Sequence, residues 1–117
     1  MKTFYLITAL LLSTFASIAV ANAQSAITPS AGSLIGRIDA RSNGSFDIHT
    51  DEDGRGWEHP SCPSANHARV DVNHASHDKI YALVLASKHT GKKMFFRATC
   101  HPTSTAVIDV VDAFQLP

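Results

Sequence analysis

The clearest pattern of apolar and polar positions lies in the second half of the chain. Apolar residues recur at helical spacing over 80–86. Ser76 or Asp78 can cap the first turn of such a helix, and Gly91 can end it in the left-handed conformation that glycine tolerates. Residues 92–99 then alternate between two faces, as a strand does. The pattern predicts a helix of about 12 residues that leads directly into a strand.

The apolar surface of this helix is wider than the stripe that a single neighbour would cover. One neighbour is expected to be the sheet of the same domain, and the second can be another copy of the chain. The helix is therefore predicted to be central to the core and to the contacts of a homo-oligomer. The residues assigned to this role are Ile80, Tyr81, Leu83, Val84 and Leu85.

Shorter alternating stretches predict three more strands, and a stretch that is apolar on both faces predicts a fourth. Residues 34–40 and 46–49 flank Asn43-Gly44, which favours the positive φ angles of a type I′ hairpin turn. Further strands are predicted at 68–72 and 106–114. The predicted order is β-β-β-α-β-β, an all-β fold with one helix. That order in about 80 residues is the layout of the oligonucleotide/oligosaccharide-binding (OB) barrel, in which the helix closes one end.

The first 23 residues are predicted to be a cleavable export signal. Lys2 is followed by an apolar run over 4–20 and by Ala21-Asn22-Ala23, the small-x-small pattern that signal peptidase needs. Polar residues interrupt the run and no basic stop-transfer cluster follows it, which disfavours a membrane anchor. The predicted organisation of this secreted or periplasmic protein is a signal peptide at 1–23, a flexible segment at 24–33 and a folded domain at 34–117.

The charge of the chain argues against two kinds of partner. Acidic and basic side chains are equal in number, and removal of the signal leaves one more acidic than basic group. A near-neutral surface with interspersed signs has no long-range field to attract phosphates or anionic lipid. We therefore expect no nucleic-acid partner and, after signal cleavage, no membrane span.

Cys62 and Cys100 are the two cysteines of the chain. Export would deliver them to an oxidising compartment, where such a pair is expected to close into a disulfide. The alternative is a metal-binding cysteine pair. It is disfavoured on the expectation that neither cysteine has a second Cys or His at zinc-finger spacing.

Residues 50–66 form a polar connection rich in Gly and Pro, longer than most connections in compact domains. It contains Trp57, and an exposed indole can stack on a sugar ring while neighbouring polar groups bond to hydroxyls. In the alternative, Trp57 folds back and covers the disulfide. The predicted ligand-binding residues are Arg55, Trp57, Glu58 and His59.

Histidines offer a second candidate site. His74 and His77 lie at the joint between the third strand and the helix, where two imidazoles can hold zinc or copper. Asp78 or His101 would complete the ligand shell. Solvent-exposed or helix-capping histidines are the alternative.

The sequence His49-x-Asp51-x-Asp53-Gly54 partly matches a calcium-binding loop, because hard cations need oxygens at alternate positions before a glycine turn. His49 stands where the first carboxylate belongs, and Pro60 stands where the closing glutamate belongs. A solvated acidic turn is therefore the favoured interpretation.

The sequence carries no motif that predicts catalysis. Nothing resembles a Gly-x-Ser-x-Gly nucleophile elbow, and a disulfide would remove both cysteines as nucleophiles. Asp51 and Asp53 lie on a polar loop that lacks the apolar surroundings of a general acid. We therefore predict a non-enzymatic protein without a cofactor.

Residues 81–93, Tyr-Ala-Leu-Val-Leu-Ala-Ser-Lys-His-Thr-Gly-Lys-Lys, followed by a strand and Cys100, resemble a pattern of small exported bacterial proteins of unknown function. In those proteins a cysteine before the third strand precedes a similar helix, a Thr/Ser-Gly-Lys turn and a second cysteine. The layout is similar, more distantly, to the receptor-binding B subunits of pentameric bacterial toxins of the subtilase cytotoxin and pertussis-like groups. The resemblance implies an OB-fold, helices that line the pore of a ring, and a barrel surface that binds glycans.

The expected function is that of a secreted, non-catalytic binding module that recognises a carbohydrate or another surface ligand as a B-subunit-like oligomer. One alternative is a periplasmic metal-binding protein that uses its histidines. A small hydrolase is the third hypothesis.

Overall fold

A computed structural model describes residues 25–52 and 55–117 of the chain. Within these residues the chain forms six strands and one helix. The elements are β1 (Ala26–Ile27), β2 (Ile35–Ala40), β3 (Phe46–Thr50), β4 (His67–Val70), α1 (His77–Thr90), β5 (Met94–Cys100) and β6 (Val107–Gln115). The predicted signal peptide at 1–23 lies outside the described residues.

The strands of this part of the chain form one mixed sheet in the order β1-β5-β6-β4-β3-β2. Neighbouring strands are antiparallel except β4 and β6, which are parallel. Parallel strands need a long connection, and α1 followed by β5 supplies it. The predicted β-rich fold with one helix is confirmed. The strand pairings of residues 25–52 and 55–117 leave β1 and β2 at the two ends of the sheet and do not close it.

The segment ahead of β2, predicted to be flexible at 24–33, pairs with β5 in its described part. The backbone N–H of Thr28 donates to the carbonyl of Phe96 at 2.8 Å, and the hydroxyl of Thr28 accepts the N–H of Phe96 at 2.9 Å. Ser33 and Met94 exchange two backbone hydrogen bonds, each of 2.9 Å. Local composition does not reveal these contacts because Thr28 and Phe96 are 68 positions apart in sequence.

Alternate residues of the strands point into one apolar core. The core draws a large buried side chain from each of the four central strands and from the helix, and each such burial stabilises the fold by about 1.5 to 3 kcal/mol. The largest fully buried apolar side chains are Ile48, Val70, Val84, Met94, Phe96 and Ile108.

Helix α1 buries one face and exposes the other. Ile80 and Val84 are buried against the sheet and Leu83 is half-buried, which confirms that the helix belongs to the core. Tyr81 and Leu85 are 39% and 42% exposed, so the second side of the apolar surface faces solvent in the single chain. No helix within 25–52 and 55–117 has the length and apolarity to cross a membrane.

The two ends of α1 differ in how well the sequence predicts them. Gly91 ends the helix with a φ of 67°, and its N–H donates to the carbonyl of Ser87, as predicted. Ser76 stands at the N-cap but makes no side-chain capping bond, and the carboxylate of Asp78 binds His77 instead. The predicted oxygen cap is therefore wrong: the backbone of Ser76, with φ of −109° and ψ of 21°, is outside the extended conformation of a capping residue, and the carboxylate of Asp78 has another partner.

The hairpin between β2 and β3 forms as predicted, but its turn is not type I′. Gly44 has a φ of 91°, whereas Asn43 is outside the positive-φ region. The N–H of Gly44 donates to the carbonyl of Arg41 at 3.0 Å, and the N–H of Arg41 donates to Ser45 at 2.8 Å. The loop therefore needs one positive-φ residue rather than two.

A disulfide joins Cys62, in the connection between β3 and β4, to Cys100 at the end of β5, as predicted. The two Cα atoms are 5.9 Å apart, and 38 positions separate the residues in sequence. The disulfide holds the long 55–66 segment against the sheet.

Replacement of both cysteines, Cys62→Ala with Cys100→Ala, should lower the free energy of unfolding by about 2 to 5 kcal/mol, because the unfolded chain regains the entropy of a large loop. Urea unfolding followed by circular dichroism measures the change. Ser61→Ala with Thr103→Ala alters exposed positions of the same two loops and should change stability by less than about 0.5 kcal/mol. Equal unfolding midpoints for the two double variants would contradict the expectation.

Candidate functional site

The outward positions of β2, β3 and β4 carry a continuous set of charged and imidazole side chains, here called the charged face. Antiparallel register brings them together, because residues that are opposite each other on neighbouring strands share a face. Arg37 is opposite His49, and Asp39 is opposite Asp47. Asp47 and His49 are in turn opposite residues of β4. The charged face consists of Arg37, Asp39, Asp47, His49, His67 and Arg69.

Asp47 is the buried centre of the charged face. Its carboxylate accepts the Nε of Arg69 at 2.8 Å and an Nη of Arg41 at 3.0 Å. Burial alone would raise the pKa of Asp47, but the hydrogen bonds from Arg69 and Arg41 outweigh it and hold the pKa below its ordinary value of 3.8. The Asp47 carboxylate therefore holds the guanidinium groups of Arg41, just after β2, and of Arg69, on β4.

The exposed end of the charged face is built around Asp39. Arg37 donates its Nε to this carboxylate at 2.9 Å, and the hydrogen bond lowers the pKa of Asp39. The Nε2 of His49 also lies 3.0 Å from the carboxylate. The side chain of Arg37 remains 68% exposed, so a ligand can reach it.

The imidazole of His67 lies 3.9 Å from the carboxylate of Asp47 and next to the ring of His49. The ring centroids of His49 and His67 are 5.0 Å apart. Burial lowers the pKa of His67, the carboxylate of Asp47 opposes this, and the positive charges of neighbouring groups lower it further. Folding therefore favours the neutral imidazole relative to the unfolded chain.

A polar groove of about 710 Å³ adjoins the charged face, between β2, the end of β3 and the 55–66 connection. Arg55 is exposed in its wall and pairs with Glu52 at 2.9 Å and with Glu58 at 2.7 Å. The hydroxyls of Thr50 and Ser64 donate to backbone carbonyls, so neither is activated by a base. The groove is lined by Gly36, Arg37, His49, Thr50, Asp51, Glu52, Arg55, Gly56, Pro63, Ser64 and Asn66.

The predicted carbohydrate site around Trp57 is divided between the core and the surface. Trp57 is 2% exposed, donates its Nε1 to the carbonyl of Ile48 at 2.9 Å and packs edge-on against Phe96 at 4.6 Å. His59 is fully buried. The prediction of an exposed indole is wrong, because the ring has both a hydrogen-bond partner and an aromatic neighbour inside the fold. Arg55 and Glu58 are on the surface, as predicted.

A sequence signal for this division is present in the spacing of Trp57 and His59. They are two positions apart, which is the period of a chain segment with one face inward. Glu58 lies between them with a left-handed φ of 56°. Opposite-face alternation along β2, β3 and β4 likewise predicts outward charges, but their union into one surface depends on register that the sequence does not specify.

The structure does not form the predicted metal pair at His74 and His77. The Nε2 of His74 lies 2.9 Å from the carbonyl of Val111, and its Nδ1 accepts the N–H of Ser76 at 2.9 Å. His77 contacts Asp78 through Nδ1 at 2.8 Å and the carbonyl of Gly44 through Nε2 at 2.9 Å. Both nitrogens of each ring therefore have protein partners.

The other proposed metal ligands also have different roles. The Nδ1 of His101, proposed to complete the histidine site, lies 3.0 Å from the carboxylate of Asp109. In the calcium-like sequence, His49 binds Asp39, and Asp51 lies in the wall of the groove. Asp53 and Gly54 fall outside the described residues.

His59, Cys62 and Cys100 form a cluster that the sequence interpretation missed. Their potential ligand atoms all lie within 4.8 Å of one another. His59 stands three positions before Cys62, so the expectation that neither cysteine has a histidine at metal-binding spacing is wrong.

A scan against protein-family models found no match to the chain. Searches of the curated proteins and of the solved structures also returned no significant match.

Substitution of His67 by Gln should reduce the loss of stability that acid causes. The pKa of His67 in the fold lies below its ordinary 6.5, so the unfolded chain binds a proton first as the pH falls. The resulting loss begins near pH 6.5 and grows as the pH falls towards the folded pKa. Urea unfolding at about pH 7.5 and about pH 5 measures it in both proteins.

His77 provides a control of opposite sign. Its hydrogen bond to Asp78 raises its pKa above 6.5, so its stabilising contribution is present below that pH and is lost as the pH rises through the folded pKa. His77→Gln should therefore cost more stability at about pH 5 than at about pH 8. A change of the same sign in the two variants would contradict these assignments.

Proposed function

We propose that this protein is an exported, non-catalytic binding module of the OB type that binds a neutral, hydroxyl-rich ligand, of the carbohydrate class, in the groove beside the charged face. The observation that carries the proposal is the balance of charge in the groove wall. Exposed guanidinium groups and exposed carboxylates stand side by side there.

The exposed arginines of the groove already have carboxylate partners, which disfavours an anionic ligand. Arg37 is already bonded to Asp39, and Arg55 is bonded to Glu52 and Glu58. An anion would have to compete with these carboxylates. A sugar hydroxyl can instead donate to a carboxylate and accept from a guanidinium at the same time, so it adds bonds without breaking the pairs.

The strand connectivity supports the OB part of the proposal. The parallel pairing of β4 with β6 and the helix between β4 and β5 are features of that layout. The double hydrogen bond between Ser33 and Met94 joins the segment just ahead of β2 to the start of β5. If the pairing between β2 and β5 were extended from these two residues, the sheet would close into a barrel with the groove on its outer surface.

The disulfide supports export. Disulfides persist in oxidising compartments and are rare in the cytosol, and the two cysteines of this chain are joined. The groove hydroxyls lack an activating base, which supports binding rather than hydrolysis.

A glycan array followed by titration calorimetry tests the proposal. Arg37→Ala and Arg55→Ala should each weaken binding of the best glycan by about tenfold or more, since a hydrogen bond to a charged group contributes about 1.5 to 3 kcal/mol. Both side chains are more than half exposed, at 68% and 61%, so the fold should tolerate the changes.

Arg97→Ala is the matched control. Arg97 is an exposed arginine that also pairs with a carboxylate, Asp112, but it lies on β5 away from the groove. Its removal should leave glycan binding unchanged. No binding by the unaltered protein, or an equal loss with Arg97→Ala, would overturn the proposed function.

A second proposal concerns assembly, and the exposed side of α1 supports it. Tyr81 and Leu85 are large apolar residues one turn apart, and Ala82 and Ala86 extend the same exposed surface. Burial of this surface against a second copy would complete the contacts of a helix that is apolar on two sides.

Light scattering coupled to size exclusion tests the assembly. The unaltered protein should elute as an oligomer, and Leu85→Glu should shift it to a monomer because a charge would be buried in the contact. Ile27→Glu, at an exposed apolar position on β1, should leave the mass unchanged. A monomeric mass for the unaltered protein would contradict this proposal while leaving the glycan proposal standing.

A further inference from the structure

The disulfide lies beside a fully buried histidine, and the three side chains form a compact set of potential metal ligands. The Nδ1 of His59 is 3.8 Å from the sulfur of Cys100. In a tetrahedral zinc site, bond lengths of about 2.3 Å to sulfur and about 2.0 Å to nitrogen place such atoms about 3.6 Å apart. The nitrogen is therefore already close to the position that a ligand would need.

The hydrogen bonds of His59 prepare this nitrogen for a metal. Its Nε2 lies 2.7 Å from the carbonyl of Ala98 in the core, which fixes the proton on Nε2 and leaves the lone pair on Nδ1. A metal-bound histidine commonly donates its second nitrogen to a backbone carbonyl in this way. Nδ1 accepts the N–H of Ser61 at 3.1 Å. Because Ser61 is exposed, a water molecule can replace Nδ1 as the acceptor of this N–H when a metal binds.

We propose that His59, Cys62 and Cys100 bind a borderline-soft divalent cation such as Zn²⁺ when the disulfide is reduced. A dithiol reductant supplies two electrons and two protons, which convert the disulfide to two thiols while the reductant becomes a cyclic disulfide. The cation then replaces the two thiol protons, which leave to solvent, and forms bonds to two thiolates and to Nδ1. The sulfurs of a disulfide cannot bind the cation as thiolates, so the disulfide and the bound metal exclude each other.

Charge and access favour a divalent metal at this position. Two thiolates and one divalent cation sum to zero charge, whereas a monovalent cation would leave a net negative charge at a site where Cys62 is 7% exposed. A cleft of about 390 Å³ lies next to both cysteines and is bordered by His101 and Thr103. The fourth coordination position can therefore hold water from this cleft. The site is separate from the polar groove and does not rest on the proposed function.

Cobalt titration of the full processed chain tests the site. The protein is reduced with excess dithiol, desalted under argon and checked for fold by circular dichroism, and Co²⁺ is then added. We expect one Co²⁺ per chain, with thiolate charge-transfer and tetrahedral ligand-field absorption that Zn²⁺ abolishes. The oxidised protein should show neither band.

His59→Gln should weaken Co²⁺ binding by tenfold or more. His74→Gln is the matched control, because His74 also contacts a backbone carbonyl through Nε2 and accepts a serine N–H at Nδ1 but has no cysteine beside it. If His59→Gln does not fold, X-ray absorption of the zinc-loaded unaltered protein replaces it and should show two sulfur ligands and an imidazole. Overturning results are no Co²⁺ binding by the reduced protein, equal affinity in the His59 and His74 variants, a zinc shell without imidazole, or a reduced chain that unfolds and is not refolded by Zn²⁺.

Discussion

The link between Cys62 and the end of β5 is the constraint on which the rest of the described structure depends. It anchors a long connection whose described residues, 51–52 and 55–66, form no helix or strand, and the apolar members of 55–66 point inward. Trp57 then fills space above Phe96, and His59 reaches the carbonyl of Ala98. The polar members of the same connection, left outside, become one wall of the groove. A single covalent bond therefore stabilises both a part of the core and the border of the candidate site.

One buried imidazole, His59, and one half-buried imidazole, His74, show how the fold accommodates polar rings. His59 and His74 each stand two positions before a serine whose N–H they accept, and each reaches a carbonyl of the sheet through Nε2. Both rings can therefore satisfy their two nitrogens without a charge, which removes the penalty of burying a polar group. Some of the histidines of this chain therefore have a structural role, in which the ring connects a loop to a strand by hydrogen bonds.

Local patterns predict the elements of this fold well and its contacts poorly. The helix, its glycine end and the strand that follows it could all be predicted from the sequence, because hydrophobic period and turn chemistry are properties of neighbouring residues. The pairing of Thr28 with Phe96 and the burial of Trp57 were not, because both depend on partners distant in sequence. The charged face is an intermediate case. Its outward positions follow from alternation, whereas the meeting of Asp47 with Arg69 requires the register of β3 and β4.

The order of the two cysteines along the chain determines when the disulfide can form during synthesis. The ribosome makes Cys62 first, and its partner follows 38 positions later. At a synthesis rate of about 5 to 20 residues per second, about 2 to 8 seconds separate the synthesis of the two cysteines. The bond can close only after β5 has been made, so the first half of the domain lacks its covalent anchor throughout that interval.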